Sequence, residues 1–210
     1  MTTIKWNSEE SLLATLREDS TLAIWTSDLL KLQEFTSITD DIKAVDWKNS
    51  DEVTTFSSDG VIRLWQSHQS AAIKTSEGHE GWKEALWNKS GTLLACLLMG
   101  KFEILDDQLN LIMERNEQCT AMDWVPTESQ LVTGNTEGEL KVWDLESLDL
   151  ALTLKNNRAM ITRILCHPQE NAFALVSSSW DSGSDWVLQI CFPSLGQTQR
   201  FPVPCSVSAM

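Results

Sequence analysis

The chain has 210 residues, of which 42% are hydrophobic, and this suffices for a single folded domain with a sizeable core. Its 30 acidic and 16 basic residues give a formal net charge of −14, which disfavours direct binding to nucleic-acid phosphates. The longest apolar run, residues 93–99, is too short to cross a bilayer, so no membrane span is expected.

Tryptophan recurs along the chain with a period that no single strand or helix requires. Four of the ten tryptophans follow one another at intervals of 41, 40 and 37 residues, namely Trp6, Trp47, Trp87 and Trp124. A second series trails the first by 18 or 19 residues and consists of Trp25, Trp65 and Trp143. Two aromatic marks in fixed register, within a period of about 40 to 45 residues, are typical of β-propeller blades.

The period divides the chain into five repeats, at about 1–36, 37–77, 78–115, 116–157 and 158–204. Each repeat predicts four short strands, and the third alternates apolar with other residues, as half-buried strands do. In chain order the strands fall at 3–6, 12–16, 22–25 and 31–35; 42–47, 53–56, 62–65 and 72–75; 82–87, 93–98, 102–105 and 109–113; 119–124, 131–133, 140–143 and 150–154; 161–166, 173–176, 188–191 and 197–203. Four such strands cannot bury both faces of their sheet alone, so each sheet is expected to stack on its neighbour.

Polar residues at fixed places in the repeats extend the pattern. A carboxylate lies six residues before the third-strand aromatic, or before the Cys191 that replaces it, at Asp19, Asp59, Glu137 and Asp185. The third repeat begins with Gly78-His79, and the dipeptide Trp143-Asp144 closes the third strand of the fourth. On these motifs the chain resembles the WD40 (G protein β subunit-like) propellers over essentially all of its 210 residues.

This resemblance implies an all-β fold, a WD40-type β-propeller of about five four-stranded blades, in a single domain of residues 1–210. In that family a histidine, a second-strand hydroxyl, a turn carboxylate and a third-strand tryptophan form a hydrogen-bonded set within a blade. The hydroxyls expected here are those of Thr15, Thr55 and Thr133. The resemblance implies structural roles for His79, Asp19, Asp59, Asp185, Trp25, Trp65 and Trp143.

Five blades are fewer than the roughly seven or eight that WD40 rings generally have. The array is therefore expected to be incomplete or open, with the faces of its terminal sheets exposed, or to tighten into a five-blade ring. Exposed sheet faces would favour self-association or a partner that completes the ring. A degenerate, truncated paralogue with little function of its own is a further alternative.

Catalytic and metal-binding chemistry is not predicted. The chain has three histidines, no Cys-x-x-Cys pair, and five cysteines that lie mostly at strand positions filled by apolar groups in other repeats. These cysteines are expected in the core, and a zinc site is disfavoured. Neither a glycine-rich phosphate loop nor a converging nucleophile and base is visible. We therefore predict no catalytic residue, no cofactor and no metal, and the chain is predicted not to be an enzyme.

Binding of proteins or peptides is the function that the pattern favours. In WD40 propellers the loop before the first strand and the turn between the second and third strands lie on one face, which commonly takes peptides. Candidate contacts in these segments are Arg17, Glu18, Asp41, Lys101 and Asn135. The long turn 179–185 adds Trp180, which has no counterpart in the other repeats and would be an aromatic anchor. Alternatively this indole folds back over the neighbouring blade. Trp82, by contrast, is expected in the core.

A second resemblance rests on residues 44–47, 73–75, 78–79 and 91–96, which are similar in order and spacing to the transducin beta-like corepressor subunits. It implies a nuclear scaffold in a histone-deacetylase-containing corepressor complex, in contact with other subunits or with basic tails such as those of histones. The acidity alternatively serves solubility only. The alternative function is a cytoplasmic WD40 adaptor of another assembly, such as a ubiquitin ligase.

Overall fold

Five four-stranded sheets make up the computed structural model, which describes residues 3–35, 42–79, 81–126, 129–155, 159–167, 169–170, 172–178, 186–192 and 197–203. Within every sheet the strands follow chain order and pair antiparallel. These residues include no helix. The predicted all-β fold of four-stranded, propeller-type blades is confirmed.

Each sheet is one blade. Blade 1 contains β1 (Thr3–Trp6), β2 (Leu12–Leu16), β3 (Leu22–Thr26) and β4 (Lys31–Phe35). Blade 2 contains β5 (Ile42–Trp47), β6 (Glu52–Ser57), β7 (Ile62–Gln66) and β8 (Ala72–Ser76). Blade 3 contains β9 (Trp82–Trp87), β10 (Leu93–Leu98), β11 (Lys101–Asp106) and β12 (Leu111–Arg115). Blade 4 contains β13 (Cys119–Trp124), β14 (Gln130–Asn135), β15 (Glu139–Asp144) and β16 (Asp149–Lys155). Blade 5 contains β17 (Met160–Cys166), β18 (Phe173–Ser178), β19 (Trp186–Phe192) and β20 (Gln197–Val203).

Every one of these strands was predicted from the repeat, with ends that differ by two residues or fewer. The one strand that is displaced as a whole is β12, predicted at 109–113. Leu109 has a φ of 59° and lies in a turn, where its N–H donates to the Asp106 carbonyl at 3.0 Å. The Asp106 side chain accepts the N–H groups of Gln108 and Asn110, which fixes this turn. A hydrophobic pattern does not show that an apolar residue adopts the left-handed conformation, so it assigned Leu109 to the strand.

The chain divides into two compact units, Met1–Arg115 with blades 1 to 3 and Asn116–Met210 with blades 4 and 5. We call them unit 1 and unit 2 and describe each by itself. The single-domain organisation, the repeat boundaries and the closure of the array stay predictions.

Neighbouring blades within a unit stack through unlike faces. We call the face of a blade that contacts the next blade of the same unit its forward face, and the face that contacts the preceding blade of that unit its rear face. In unit 1 the forward face of blade 1 packs on the rear face of blade 2, and this core contains Ala14, Leu16, Leu22 and Ile24 against Ile42, Val45, Trp47, Val53 and Trp65. Blade 2 packs on blade 3 in the same way, with Phe56 and Ile62 against Ala85, Trp87, Leu94, Leu98 and Leu105. In unit 2 the core between blades 4 and 5 contains Val132, Leu140 and Val142 against Ile161, Ile164, Phe173 and Leu175.

A third-strand tryptophan is hydrogen-bonded to a second-strand threonine in three blades. The indole Nε1 donates to the threonine Oγ1 at 2.9 Å in the pairs Trp25–Thr15, Trp65–Thr55 and Trp143–Thr133. Blade 3 lacks this pair, because Cys96 and Leu105 occupy the two positions and both are fully buried. In the three blades that have the pair, the threonine hydroxyl satisfies the indole N–H without a bridging water.

Replacement of Thr55 by valine is expected to lower the free energy of unfolding by about 1 to 3 kcal/mol, because it leaves a buried indole N–H without an acceptor. Thr15→Val is the matched control. Its hydrogen bond has the same length but is only partly buried, so water can replace the hydroxyl and the loss should be smaller. Urea unfolding followed by tryptophan fluorescence measures both. Equal losses in the two variants would contradict the role of burial.

Candidate partner-binding surface

The first strands of blades 1, 2 and 3 occupy equivalent positions in their sheets and are connected through the side chain of Asp46. Lys5 Nζ is 2.8 Å from Asp46 Oδ1, and Asp46 Oδ2 accepts the backbone N–H of Trp87 at 2.8 Å. Because strands alternate in direction within a blade, the segment before the first strand and the turn between the second and third strands share one edge of the sheet. We call this the turn edge of unit 1, and it comprises residues 17–21, 57–61, 77–79 and 99–100.

Short polar side chains hold the turns in place. Asp19 accepts the N–H of Thr21 at 3.0 Å, and the hydrogen bonds from Thr21 lower the pKa of the Asp19 carboxyl. Asp59 accepts the N–H of Val61 at 3.0 Å and lies 3.7 Å from the Arg63 guanidinium. The structure thus places both carboxylates, for which structural roles were predicted, in bonds to their own turns.

The candidate contact residues are distributed unequally. Arg17 and Glu18 are exposed at the tip of the turn between β2 and β3. Lys101 is half-buried, and its Nζ lies 2.5 Å from Glu103 Oε1 and 2.7 Å from Glu114 Oε2. In unit 2, Asn135 Oδ1 accepts two backbone N–H groups of its own turn at 2.9 Å. Arg17 and Glu18 are therefore presented outward, whereas Lys101 and Asn135 are engaged within their blades. The remaining candidates Asp41 and Trp180 and the predicted turn carboxylate Asp185 lie outside the described residues.

A buried polar network lies behind the turn edge, between blades 2 and 3. His79 Nδ1 is 2.6 Å from Glu103 Oε2, and His79 Nε2 is 3.0 Å from Ser76 Oγ. The His79 backbone N–H donates to the Gly60 carbonyl at 3.0 Å, which connects the network to the turn of blade 2. Since an ionised carboxylate only accepts hydrogen bonds, Nδ1 carries the proton towards Glu103. The network joins the two blades directly beneath the surface.

Glu103 supplies the carboxylate of this network, although it is not among the residues for which a structural role was predicted. The third blade has Met99 where the other turns carry an acid, and the acid comes instead from β11, opposite Cys96. Only 3% of Glu103 is exposed. Burial alone would raise the pKa of Glu103, but the hydrogen bonds from His79 and Lys101 outweigh it and the pKa is lowered. One feature of the sequence could have identified Glu103. It is a carboxylate at a third-strand position that holds Ala23, Arg63 and Lys141 in blades 1, 2 and 4.

Met99 gives the turn edge an apolar contact point. It is 75% exposed, and its N–H donates to the Gly81 carbonyl at 2.9 Å, which fixes it beside the His79 segment. Methionine is enriched at protein interfaces because its flexible thioether adapts to irregular surfaces. Trp82 lies underneath, partly buried against the core of blades 2 and 3 as predicted, with its ring centroid 5.2 Å from that of Phe56.

The chemistry of the remaining groups is that of a core. Cys96 and Cys119 are buried free thiols, and burial raises the pKa of Cys96 well above its ordinary value. In the part of the chain that the structure describes, no three His, Cys, Asp or Glu side chains are grouped to hold a metal ion. The same residues include no helix long and apolar enough to cross a membrane.

The similarity to known proteins covers most of the chain. The WD domain, G-beta repeat profile matches residues 110–144, which contain β13 to β15 of blade 4. Protein FIZZY-RELATED 3 of Arabidopsis thaliana is 20% identical over 177 residues, covering 80% of this chain and 36% of that protein. The anaphase-promoting complex subunit cdh1 of Dictyostelium discoideum is 23% identical over 152 residues, covering 67% of this chain and 20% of that protein. The chain thus spans about a third or less of the length of these relatives.

Solved structures share the fold at low sequence identity. A chain from the crystal structure of the Mitotic Checkpoint Complex has a TM-score of 0.80 and 16% identity, covering 98% of this chain and 65% of that chain. The β-propeller domain of Cps50 (Swd1) from Myceliophteria thermophila has a TM-score of 0.76 and 13% identity, covering 96% and 73%. The stacked four-stranded blades of both units thus have the fold of these propellers, and residues 110–144 match a WD repeat.

Proposed function

We propose that this chain, a WD40 protein-interaction scaffold, is a non-catalytic adaptor of the anaphase-promoting complex. The observation that carries the proposal is the turn edge of unit 1, which exposes Arg17, Glu18 and Met99 on a support braced by buried hydrogen bonds. Exposed charged side chains together with an exposed apolar side chain are a composition that protein-binding surfaces share. The target is suggested by the Dictyostelium relative, which is named as a subunit of that complex.

This proposal corresponds to the adaptor alternative of the sequence analysis. The corepressor function, the histone-tail ligand and the nuclear localisation stay predictions. None of the relatives and structures described above is named as a corepressor. A location in the nucleus is tested by imaging the tagged chain. The surface itself is independent of these assignments, because its exposure follows from the fold of unit 1.

Direct binding to the purified anaphase-promoting complex tests the proposal. The complex is immobilised and the full chain is titrated over it in biolayer interferometry. We expect saturable binding that Met99→Asp weakens about tenfold or more, the usual effect of removing an anchor residue. Leu30→Asp is the matched control, because Leu30 is 68% exposed but lies in the turn between β3 and β4, at the opposite edge of its blade.

Saturable binding with a selective loss in Met99→Asp supports the adaptor function and its surface. Absence of binding by a folded wild-type chain at tens of micromolar would overturn the adaptor proposal. Equal losses in Met99→Asp and Leu30→Asp would overturn the assignment of the turn edge.

A further inference from the structure

Trp82 carries a hydrogen-bond donor that the fold of unit 1 does not use. In the part of the chain that the structure describes, its indole Nε1 is the one buried side-chain nitrogen or oxygen without a hydrogen-bond partner. Other tryptophans donate their indole N–H to a threonine hydroxyl or a backbone carbonyl, namely Trp25, Trp47, Trp65, Trp87 and Trp143. Buried donors without an acceptor are rare because each costs free energy, so this donor indicates an acceptor that the chain itself does not supply.

Packing does not require an indole at this position. Trp82 stands where blade 2 has Ile42 and blade 5 has Ile161, both of which are buried. An aliphatic side chain therefore suffices to fill the equivalent place in other blades. The Trp82 ring centroid lies 5.2 Å from that of Phe56 and 5.8 Å from that of His79, and neither contact engages the N–H. The N–H is thus an addition to the packing and not a part of it.

The position of Trp82 is directly behind the turn edge of unit 1. Trp82 pairs with Leu98, the residue before Met99. A Cβ at Gly81 would lie 3.2 Å from Met99 Cβ and 3.3 Å from Met99 Cγ, so the Met99 side chain lies against the residue that precedes Trp82. Because Met99 is 75% exposed, its flexible side chain rotates with the loss of few contacts. Rotation of Met99 is therefore a route of low cost from the surface to Trp82.

The charges of the turn edge restrict the kind of acceptor that can approach. The edge has one cation, Arg17, against four carboxylates, which are those of Glu18, Asp19, Asp59 and Glu77. The cations behind it, Arg63 and Lys101, are already within ion-pair distance of carboxylates. An anionic acceptor would be repelled by this excess of negative charge, whereas an uncharged carbonyl oxygen would not.

We propose that the Trp82 indole N–H donates to an uncharged carbonyl oxygen of a peptide segment of the partner, after the Met99 side chain has rotated aside. This inference rests on the proposed function, because the carbonyl belongs to the partner bound at the turn edge. Met99 supplies the apolar contact and Trp82 the polar one. A site that donates to a carbonyl discriminates against segments that cannot present one, so Trp82 determines specificity.

Two tryptophan replacements in the full chain separate this role from a structural one. Trp82→Phe removes the unpaired N–H. Trp65→Phe removes an N–H that donates to Thr55 at 2.9 Å, near the end of β7 that is remote from the turn edge. In interferometry on the anaphase-promoting complex, Trp82→Phe should bind about threefold to tenfold more weakly, the effect of one hydrogen bond, and Trp65→Phe like the wild type. In urea unfolding the order is reversed, and the midpoint falls more in Trp65→Phe because that variant loses a formed bond.

A small probe tests the donor independently of the complex. N-methylacetamide, an uncharged amide, is titrated into the chain labelled at the indole nitrogens, and heteronuclear NMR follows each indole N–H. The signals of Trp82 and Trp65 are assigned by their loss in Trp82→Phe and Trp65→Phe. We expect a saturable downfield shift of the Trp82 signal, a smaller effect of acetate, and no response of Trp65, whose N–H already has an acceptor.

The two assays distinguish failure of this contact from failure of the adaptor function. A Trp82 signal that responds to N-methylacetamide, in a wild type that does not bind the complex, would overturn the adaptor function and retain the carbonyl site. Binding that Trp82→Phe leaves unchanged would overturn the contact alone. So would a Trp82 signal that is downfield from the start and ignores the probe, since its acceptor is then a bound water. Should Trp82→Phe fail to fold by circular dichroism, Trp82→Ile replaces it, with the residue that blades 2 and 5 carry there.

Discussion

Replacement of Glu103 by leucine is expected to lower the free energy of unfolding by about 3 to 5 kcal/mol, the usual effect of removing one partner from a buried ionic network. The variant leaves His79 Nδ1 facing an apolar side chain and removes the Oε1 atom that lies 2.5 Å from Lys101 Nζ. Glu103→Gln should lose less, since its amide oxygen still accepts the His79 hydrogen bond. The control is Glu114→Gln, at the exposed end of the Lys101 pair, with an expected loss below about 1 kcal/mol. Urea unfolding at pH 7.5 measures the series.

The same network predicts a dependence of stability on pH. The pKa of Glu103 is lowered in the folded chain, so its ionised form contributes stability above the ordinary value of 4.5. That contribution is lost as the pH falls through the lowered pKa. The difference in unfolding free energy between wild type and Glu103→Gln should therefore be constant above about pH 6 and shrink below 4.5. The chain has a pI of about 4.5 and therefore little net charge in this pH range, so micromolar concentrations are required to avoid precipitation. A difference that stays constant down to pH 3 would show that Glu103 is not the titrating group.

The strands could be predicted because they follow from local sequence patterns, whereas the His79–Glu103 network depends on tertiary contacts that the repeat does not specify. Strand positions follow from local alternation and from tryptophans that recur in register, so β5, β9 and β13 could be placed to the residue. The His79–Glu103 pair joins a loop to a strand 24 residues away and replaces a turn carboxylate that the blade lacks. A family pattern places the acid at the position of Met99, and only tertiary packing brings Glu103 to the histidine instead.

Contacts between blades could have been read from the sequence in part. Asp46 precedes Trp47, and Asp123 precedes Trp124, at the same place in two repeats. In unit 2 the Asp123 carboxylate accepts the Cys166 N–H at 2.6 Å, as the Asp46 carboxylate accepts the Trp87 N–H in unit 1. A carboxylate repeated beside a buried first-strand aromatic is thus a signal for a bond to the next blade. In blade 5 the equivalent position is Leu165, so this signal is absent there.

Gly91→Ala is expected to disrupt the contact between blades 2 and 3 and to lower the free energy of unfolding by about 3 to 5 kcal/mol. A Cβ at this position would lie 2.3 Å from the Lys48 carbonyl oxygen, and the φ of 69° is one that alanine adopts at a cost of about 1 to 2 kcal/mol. The overlap is with backbone, so no side-chain rotation relieves it. The Asn88 side chain fixes the turn further, since its Oδ1 accepts the N–H groups of Thr92 and Leu93.

Gly100→Ala separates the two contributions, because Gly100 has a φ of 82° but a Cβ there would meet nothing within 4 Å. It should lose only the conformational part, about 1 to 2 kcal/mol. The excess loss in Gly91→Ala then measures how tightly blade 3 is seated on the β5–β6 turn of blade 2. Urea unfolding with far-UV circular dichroism gives both values under identical conditions. Equal losses would mean that blade 3 shifts away from Lys48 at little cost. A large excess instead shows that the Lys48 carbonyl sets the distance between blades 2 and 3, and with it the position of the Trp87 indole on Thr54.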